Sequence, residues 1–227
     1  MRMRKKKHLE DRLAAVADYL YCSDSDDRNF NTAVAHKDYL DLDGWFQQKQ
    51  PLVLEIGCGK GRFAIEYAKA HPEVNVLAVE KTPNVIVTGC EKAQVENLQN
   101  LRFLKCGAEY LERHLHENTV TRLFLNFSCP FPKNSYATHR LTHPRFLAIY
   151  DRLLCAGAEI HQKTDNRRLF EFSIEQLTGC GWALKNVSLN LHADDFPENI
   201  MTEYEQRFVS LGQPIYRLEA YRANEKA

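Results

Sequence analysis

A glycine-rich turn is the strongest chemical signal in the sequence. Gly57, Gly59 and Gly61 follow the apolar run 52–56 and precede a segment with helical spacing, 63–70. Glycine lets the backbone turn tightly and lets a ligand approach it closely. A strand, such a turn and a helix in succession predict a ligand site at the carboxyl end of the strand.

Two acidic residues accompany this turn. Glu55 precedes Gly57 by two residues, and Glu80 follows the next apolar run, 74–79. An acid beside the turn would repel a pyrophosphate but suits a cationic ligand, and the third glycine comes one residue earlier than in dinucleotide-binding turns. A carboxylate at the position of Glu80 typically accepts hydrogen bonds from ribose hydroxyls. The pattern favours S-adenosylmethionine over NAD; the alternative is a plain tight turn with two unrelated surface acids.

A basic segment follows the fourth predicted strand, 122–127. Residues 118–150 contain no Asp or Glu, and Pro130 and Pro132 stiffen the stretch that directly follows the strand. This local charge suits an anionic substrate, although a solvated basic loop without a partner would have the same composition. The basic and histidine side chains of the segment are Arg122, Lys133, His139, Arg140, His143 and Arg145.

The elements that must position these residues alternate between strands and helices, which predicts a parallel α/β sheet. Leu9, Leu13, Val16 and Leu20 have helical spacing and predict an N-terminal helix. The simplest organisation is a basic, helical extension over residues 1–50 and one catalytic domain over residues 51–227. The predicted strands are 52–56, 74–79, 101–104, 122–127, 159–162, 184–190 and 212–221, and the predicted helices are 63–70, 84–98, 144–154 and 168–177.

Composition limits the classes of function. The formal net charge is zero, from 30 basic and 30 acidic residues, so nucleic acid could bind only through local patches. Such patches include the basic start with Arg2, Arg4, Lys5, Lys6 and Lys7, for which a tail without a specific role is an equal alternative. The seven cysteines form no Cys-x-x-Cys pair, which predicts a reducing cytoplasm and no metal. No apolar run approaches the roughly 20 residues of a membrane helix.

Three separated motifs resemble the bacterial tRNA guanine-N7 methyltransferases. Phe-Ser-Cys-Pro-Phe-Pro-Lys ends at Lys133 and is followed by His-Arg-Leu-Thr, where the family usually has Phe-Ser-Asp-Pro-Trp-Pro-Lys and Arg-Arg-Leu-Thr. Lys-Thr-Asp-Asn begins at Lys163, and Asn-Ile-Met-Thr-Glu-Tyr-Glu begins at Asn199, as in the family. The resemblance runs from the basic N-terminus to about Tyr216 and therefore covers nearly the whole chain.

The resemblance implies a Rossmann-like class I methyltransferase fold: a mostly parallel central sheet with helices on both faces and an antiparallel final strand. It implies methyl transfer from S-adenosylmethionine to N7 of guanosine 46 in the tRNA variable loop, by a monomer or homodimer. The implied cofactor contacts are Glu55, Gly57, Gly59, Gly61, Glu80, Gly107, Ala108 and Cys129. The implied substrate contacts are Lys133, Arg140, Asp165, Thr202 and Glu205.

The implied chemistry assigns tasks to two of these acids. Guanine N7 carries an exposed lone pair and needs no general base, so the enzyme must align the reactants and stabilise the new cation. The opposite edge of guanine presents N–H donors, for which carboxylates are acceptors. Residues 193–205 are rich in acids and contain no Lys or Arg, so Asp165 and Glu205 are the expected catalytic residues. Helix capping or a surface ion pair is the alternative for each.

The sequence departs from the family pattern at several positions. Cys129 stands where the family usually has an acid, often taken as catalytic. The loss of this acid implies either slower catalysis or that Asp165 or Glu205 takes over its role. Phe131 replaces Trp, and residues 134–136 replace residues that are normally basic or His. These departures leave open a methyltransferase with another nucleic-acid target, or a tRNA-binding protein that has lost catalysis. A nicotinamide oxidoreductase is disfavoured by the glycine spacing.

Overall fold

The computed structural model describes residues 6–23 and 35–222. Three of the basic N-terminal residues, Arg2, Arg4 and Lys5, and most of the polar segment 22–32 lie outside this description. The chain divides into two compact units, Met1–His116 and Glu117–Ala227. The expected division at residue 50 stays a prediction.

The first unit contains four parallel strands in the order β1-β4-β3-β2. Every residue of β2 and of β3 is buried. Such mostly apolar, fully buried runs are typical of parallel strands that are covered on both faces. The strands are β1 (Leu20–Cys22), β2 (Leu52–Ile56), β3 (Asn75–Val79) and β4 (Leu101–Lys105).

The helices of the first unit follow these strands. The helix after β2 begins directly beyond Gly61 and buries one apolar stripe, while Pro83 occupies the first turn of the helix after β3, where its missing N–H costs no hydrogen bond. The helices are α1 (Leu9–Ala15), α2 (Leu42–Phe46), α3 (Arg62–Ala70), α4 (Pro83–Val95) and α5 (Leu111–His114), and a 3₁₀ turn spans Ala108–Tyr110.

The second unit has strands in the order β5-β6-β8-β7. β5 and β6 are parallel, whereas β8 is antiparallel to both of its neighbours, β6 and β7. The expected strand directions, including the antiparallel final strand, are therefore confirmed. The strands are β5 (Val120–Asn126), β6 (Leu154–Thr164), β7 (Trp182–Ser188) and β8 (Tyr216–Arg222).

Each described helix of the second unit begins at a residue whose side chain accepts a hydrogen bond from the first turn. His143 begins α6 (Pro144–Leu153), Asn166 begins α7 (Arg167–Gly179) and Thr202 begins α8 (Glu203–Ser210). Such caps satisfy backbone N–H groups that have no partner inside the helix. Short 3₁₀ turns span Asn134–His139 and Leu191–Ala193.

Two sequence expectations about elements were incomplete. The N-terminal helix ends at Ala15, and Leu20 lies in β1, because the backbone around Tyr19 pairs with β4 through a bond from Phe103 N to Tyr19 O. Helix α8 was not predicted, since its short amphipathic segment follows a long polar stretch. No helix among residues 6–23 and 35–222 is long and apolar enough to cross a membrane.

Candidate active site

The glycine turn adopts the backbone conformation that its composition predicts. Gly57, Gly59 and Gly61 have φ angles of 79°, 59° and 77°, a region that side chains with a Cβ rarely adopt. The N–H groups of Gly57 and Cys58 both donate to the carbonyl oxygen of Val79, at 2.8 and 3.0 Å. The turn is therefore fixed to the carboxyl end of β3.

The three glycines serve different purposes. A Cβ at Gly57 or Gly59 would have no heavy atom within 4 Å, so both positions border open space. A Cβ at Gly61 would lie 3.2 Å from Gly89 Cα and 3.1 Å from the Phe103 ring. The first two glycines therefore leave room for a ligand, and the third allows the turn to pack closely against α4 and β4.

Two carboxylates flank this turn. Glu55 is buried in β2, and Glu80 follows β3, with its Oε1 accepting from the Thr82 N–H at 2.9 Å. Burial, and then the negative charges of Glu55 and Glu80, hold the pKa of Cys58 well above its usual value. Both acids therefore lie near the turn, at the ends of the two strands that it joins. Two carboxylates, which accept hydrogen bonds and carry negative charge, suit a cationic ligand with hydroxyl groups, such as S-adenosylmethionine.

Gly107 and Ala108 follow β4 at the same edge of the first unit. Gly107 begins the 3₁₀ turn with φ −80° and ψ 150°, and Ala108 is buried. A Cβ at Gly107 would lie 2.6 Å from the Glu109 carboxylate, which is the flexible end of a side chain. The two residues are thus placed at a third strand end of this unit, and their cofactor contact stays a prediction.

The loop after β5 is held in a strained conformation. Phe127 and Phe131 have φ angles of 50° and 42°, which bulky residues seldom adopt and which cost about 1–3 kcal/mol each. The Phe127 N–H donates to Lys163 O at 2.8 Å, which extends the β5–β6 pairing by one residue. Such strain persists only where surrounding contacts enforce it, and it is concentrated at functional sites.

Arg140 supplies those contacts at the other end of the loop. Its guanidinium donates to Pro130 O and Phe131 O, both at 3.0 Å, and lies 4.5 Å from the centre of the Phe172 ring. The side chain is buried. The guanidinium of Arg140 therefore helps to hold the loop in shape, and the substrate contact expected for this residue stays a prediction.

The residues between Phe127 and Arg140 differ in exposure. Cys129 and Lys133 are exposed, as expected for side chains that meet a substrate. Among the described side chains, the Oγ of Ser128 is buried without a hydrogen-bond partner, which is an unusual state that a bound ligand or water would relieve. The contacts expected for Cys129 and Lys133 stay predictions.

Asp165 directly follows β6, one strand over from this loop. Asn166 N donates to Thr164 Oγ1 at 3.1 Å, and Asn166 Oδ1 accepts from Leu169 N at 2.9 Å, so the residues on both sides of Asp165 are fixed. Burial raises the pKa of Asp165, and a backbone hydrogen bond opposes this rise only in part. Asp165 is thus a half-buried carboxylate on a rigid strand end.

Glu205 has a different environment from the one expected. Its carboxylate is fully buried and accepts from Lys163 Nζ at 2.7 Å, His192 Nε2 at 3.0 Å and Asn199 Nδ2 at 2.6 Å. It also accepts from Thr202 N at 3.3 Å, while Thr202 Oγ1 accepts from Glu205 N, which forms a capping box. The capping alternative therefore describes Thr202 and Glu205, and the catalytic role predicted for Glu205 is not supported by this geometry.

The ammonium group of Lys163 connects this network to the 199–205 segment. Besides Glu205, it donates to Asn199 Oδ1 at 2.9 Å and to Ile200 O at 2.8 Å. The sequence contained one signal for this role, since a lysine that ends a buried strand requires a partner. No sequence signal indicated that His192 would take part.

One further group of side chains has the composition of a metal site. The ligand atoms of Glu159, His161 and Glu219 lie within 4.8 Å of one another. Lys185 pairs with Glu159, and Arg217 pairs with Glu219. The geometry is therefore that of an ion-pair network on β6, β7 and β8, and it provides no support for a bound ion.

Comparisons with known proteins bear on the family. A family model described as "Putative methyltransferase" matches residues 49–218. The chain is 44% identical over 220 residues to a tRNA (guanine-N(7)-)-methyltransferase of Macrococcus caseolyticus, covering 97% of this chain and 99% of the relative. It is 38% identical over 227 residues to the protein of the same name from Geobacillus thermodenitrificans, covering all of both chains.

Solved structures agree on the fold. The 16S rRNA methyltransferase KamB matches with a TM-score of 0.60 at 19% identity, covering 81% of this chain and 93% of the other. At this identity the likeness concerns the fold alone, and it confirms the class I methyltransferase fold expected from the sequence. The chain therefore belongs to this family of methyltransferases, alongside bacterial proteins named tRNA (guanine-N(7)-)-methyltransferase.

Proposed function

We propose that this protein transfers a methyl group from S-adenosylmethionine to N7 of guanosine 46 in the variable loop of tRNA. The observation that carries the proposal is the full-length similarity to relatives named for guanine-N7 methylation of tRNA. The glycine turn with open space beside Gly57 and Gly59, flanked by Glu55 and Glu80, supports the cofactor. The exposed, basic loop after β5 supports an RNA substrate.

The first unit holds the residues proposed to bind the cofactor. When bound, S-adenosylmethionine supplies an electrophilic methyl group on a sulfonium. Glu80 is proposed to accept hydrogen bonds from the ribose hydroxyls, and the open space beside Gly57 and Gly59 would let the ligand lie against the backbone. The buried charge of Glu55 favours a cationic ligand over a pyrophosphate.

The second unit holds the residues proposed to bind guanine. Because N7 needs no general base, the task of these residues is to orient the base and to stabilise positive charge. Of the two acids expected to be catalytic, Asp165 is proposed for this task, since the carboxylate of Glu205 already accepts hydrogen bonds from three side chains. Its carboxylate offers acceptors to the N1–H and N2–H₂ edge of guanine. Lys133 is proposed to contact a phosphate.

The proposal places the protein with its substrate in the cytoplasm. Two further statements stay predictions from the sequence. The protein is expected to be a monomer or a homodimer, and it is expected to need no metal. Turnover in the presence of a chelator tests the metal prediction directly, because a catalytic metal would be removed while S-adenosylmethionine would remain.

The deciding experiment combines the purified protein with an unmodified tRNA transcript and methyl-labelled S-adenosylmethionine. Nucleoside analysis should find the label in 7-methylguanosine, and a transcript with adenosine at position 46 should remain unlabelled. Label in another nucleoside would sink the guanine-N7 assignment while keeping the methyltransferase activity.

A second candidate function is tRNA binding with little or no catalysis. It is favoured by Cys129, which stands exposed at the position where the family usually has an acid. Cofactor binding without labelled product would support it. In that case Cys129→Asp should restore labelling, whereas the matched variant Cys129→Ser should not, because only the carboxylate can stabilise a developing positive charge.

A further inference from the structure

Three aromatic rings lie side by side at one edge of the second unit. Phe127 follows β5, and Tyr204 and Phe208 lie on successive turns of α8. The ring centroids are 6.3 Å apart for Phe127 and Tyr204, 6.1 Å for Phe127 and Phe208, and 6.4 Å for Tyr204 and Phe208. The interplanar angles are only 18–21°, so the three ring faces point in nearly the same direction.

These rings are accessible, which is unusual for an aromatic cluster. Tyr204 is 56% exposed, and Phe127 and Phe208 are partly exposed. A cluster formed only for packing would bury its faces, since aromatic rings contribute to stability chiefly through the area they remove from water. An accessible group of near-parallel rings instead provides a flat surface for another planar group.

Both parts of the cluster are rigidly held. The ring of Phe127 projects from a residue with φ 50°, whose N–H is bound to Lys163 O. The first turn of α8 is fixed by the Thr202 capping box and by the buried Lys163–Glu205 pair. Lys163 therefore anchors both segments, through its carbonyl oxygen and through its ammonium group. A surface held in this way loses little conformational freedom when a ligand binds.

The loop that contributes Phe127 carries the positive charge next to the cluster, whereas α8 contributes the exposed Glu203 and Arg207, whose charges offset each other. The loop that begins at Phe127 continues through residues 128–145, which include the exposed Lys133 and Arg145 and no acid. Aromatic platforms combined with a basic loop are the pattern by which proteins bind single-stranded RNA, with bases on the rings and phosphates on the cations. An apolar peptide carries no negative charge that could pair with these cations.

We propose that Phe127, Tyr204 and Phe208 form a stacking platform for a nucleobase of the RNA substrate, with Tyr204 as its exposed contact. This inference rests on the proposed function, which supplies the RNA, and adds a positioning surface to it. Stacking is offered by any aromatic ring, so the hydroxyl group of Tyr204 is dispensable.

Binding of tRNA to Tyr204→Leu, Tyr204→Phe and the wild type tests the proposal, with Tyr39→Leu as the matched control. Tyr39 is 43% exposed and lies in the first unit. We expect the Kd of Tyr204→Leu to rise roughly ten- to hundredfold and that of Tyr204→Phe to change less than about threefold. Tyr39→Leu should bind as the wild type does, and thermal unfolding should show that all variants are folded.

A transcript with an abasic site at position 46 sharpens the test. If the missing base is the one that stacks, the abasic site weakens binding to the wild type but not to Tyr204→Leu, so the two losses are not additive. Equal Kd values for Tyr204→Leu and the wild type would overturn the platform, whether or not methylation is observed. Because binding is measured without turnover, a wild type that binds through Tyr204 but yields no 7-methylguanosine would contradict the proposed function alone.

Discussion

At the scale of single residues, the environment of Asp165 decides how its carboxylate behaves. Burial disfavours the charged form and raises its pKa, yet Thr164 and Asn166 hold the backbone on either side in place. A half-buried carboxylate interacts more strongly with a partner than one in bulk water does. These properties suit a group that accepts hydrogen bonds from a base edge.

The first prediction concerns Asp165→Asn. We expect kcat for tRNA methylation to fall roughly a hundredfold, the scale of losing one electrostatic contact in an active site. The pKa of Asp165 is raised above the ordinary aspartate value of ~3.9. On acidification the wild-type rate should therefore begin to fall at a higher pH than it would if Asp165 had an ordinary pKa. The variant should lack this acid limb. The control is Asp194→Asn, an exposed acid of the same unit, and an unchanged rate for Asp165→Asn would contradict the assignment.

The second prediction separates ligand contact from backbone strain at glycine. Gly57 and Gly157 have similar φ angles of 79° and 74°, and a Cβ at either would have no atom within 4 Å. Gly57→Ala and Gly157→Ala should therefore lose similar stability, about 1–2 kcal/mol, in urea unfolding. Only Gly57→Ala should weaken S-adenosylmethionine binding in calorimetry. Equal affinities in the two variants would mean that no ligand approaches Gly57.

At the scale of elements, the Lys163–Glu205 pair orders the segment that leads into α8. Lys163 contacts Asn199 and Ile200 as well as Glu205, so one ammonium group fixes a stretch without regular secondary structure. Removing one partner of a buried ion pair is costly, because the other charge remains without compensation.

The third prediction is therefore that Glu205→Gln destabilises the fold by about 3–5 kcal/mol in urea unfolding. Adding Lys163→Met in the same chain should recover part of this loss, since the uncompensated ammonium is removed. A double variant that loses the sum of both single effects would show that the two residues do not act as a pair.

The same pair predicts how stability depends on pH. Burial raises the pKa of Glu205, but the charge and hydrogen bond of Lys163, together with the hydrogen bonds from Asn199 and Thr202, outweigh this effect, so the folded-state pKa lies below its ordinary value. A lowered folded pKa means that the stabilisation is present above the unfolded value, near ~4.3, and is lost as the pH falls through the folded value. Urea unfolding below about pH 4 should thus show a steeper decline for the wild type than for Glu205→Gln.

At the scale of the whole molecule, the net charge of zero means that attraction to RNA depends on local surfaces. The fourth prediction follows from this. Lys133→Ala should reduce the slope of log Kd against log salt concentration by about one, because one phosphate contact is removed. Lys49→Ala, an exposed lysine of the first unit, should leave the slope unchanged. Equal slopes for the wild type and Lys133→Ala would exclude a phosphate contact there.

Much of the architecture could be predicted from the sequence because the signals are local. The strand Leu52–Ile56 matches the predicted run 52–56, since a continuous apolar segment before a glycine turn admits few alternatives. Strand β1 was missed because three residues pair only through their contact with β4, which no local pattern reveals. Helix α8 was missed because its stability comes from a cap and from buried partners.

The sequence by itself determined the family, the glycine turn with its two acids, and the order of most strands and helices, because these depend on residue types and short spacings. Only the tertiary structure decided the burial and the partners of the polar residues. It assigned Glu205 to a capped, buried ion pair and Arg140 to loop carbonyls, and it left Asp165 half-buried at a strand end. It also brought Phe127 beside Tyr204. The physical reason is that a charged side chain acts through its burial and its partners, and both depend on residues distant in the sequence.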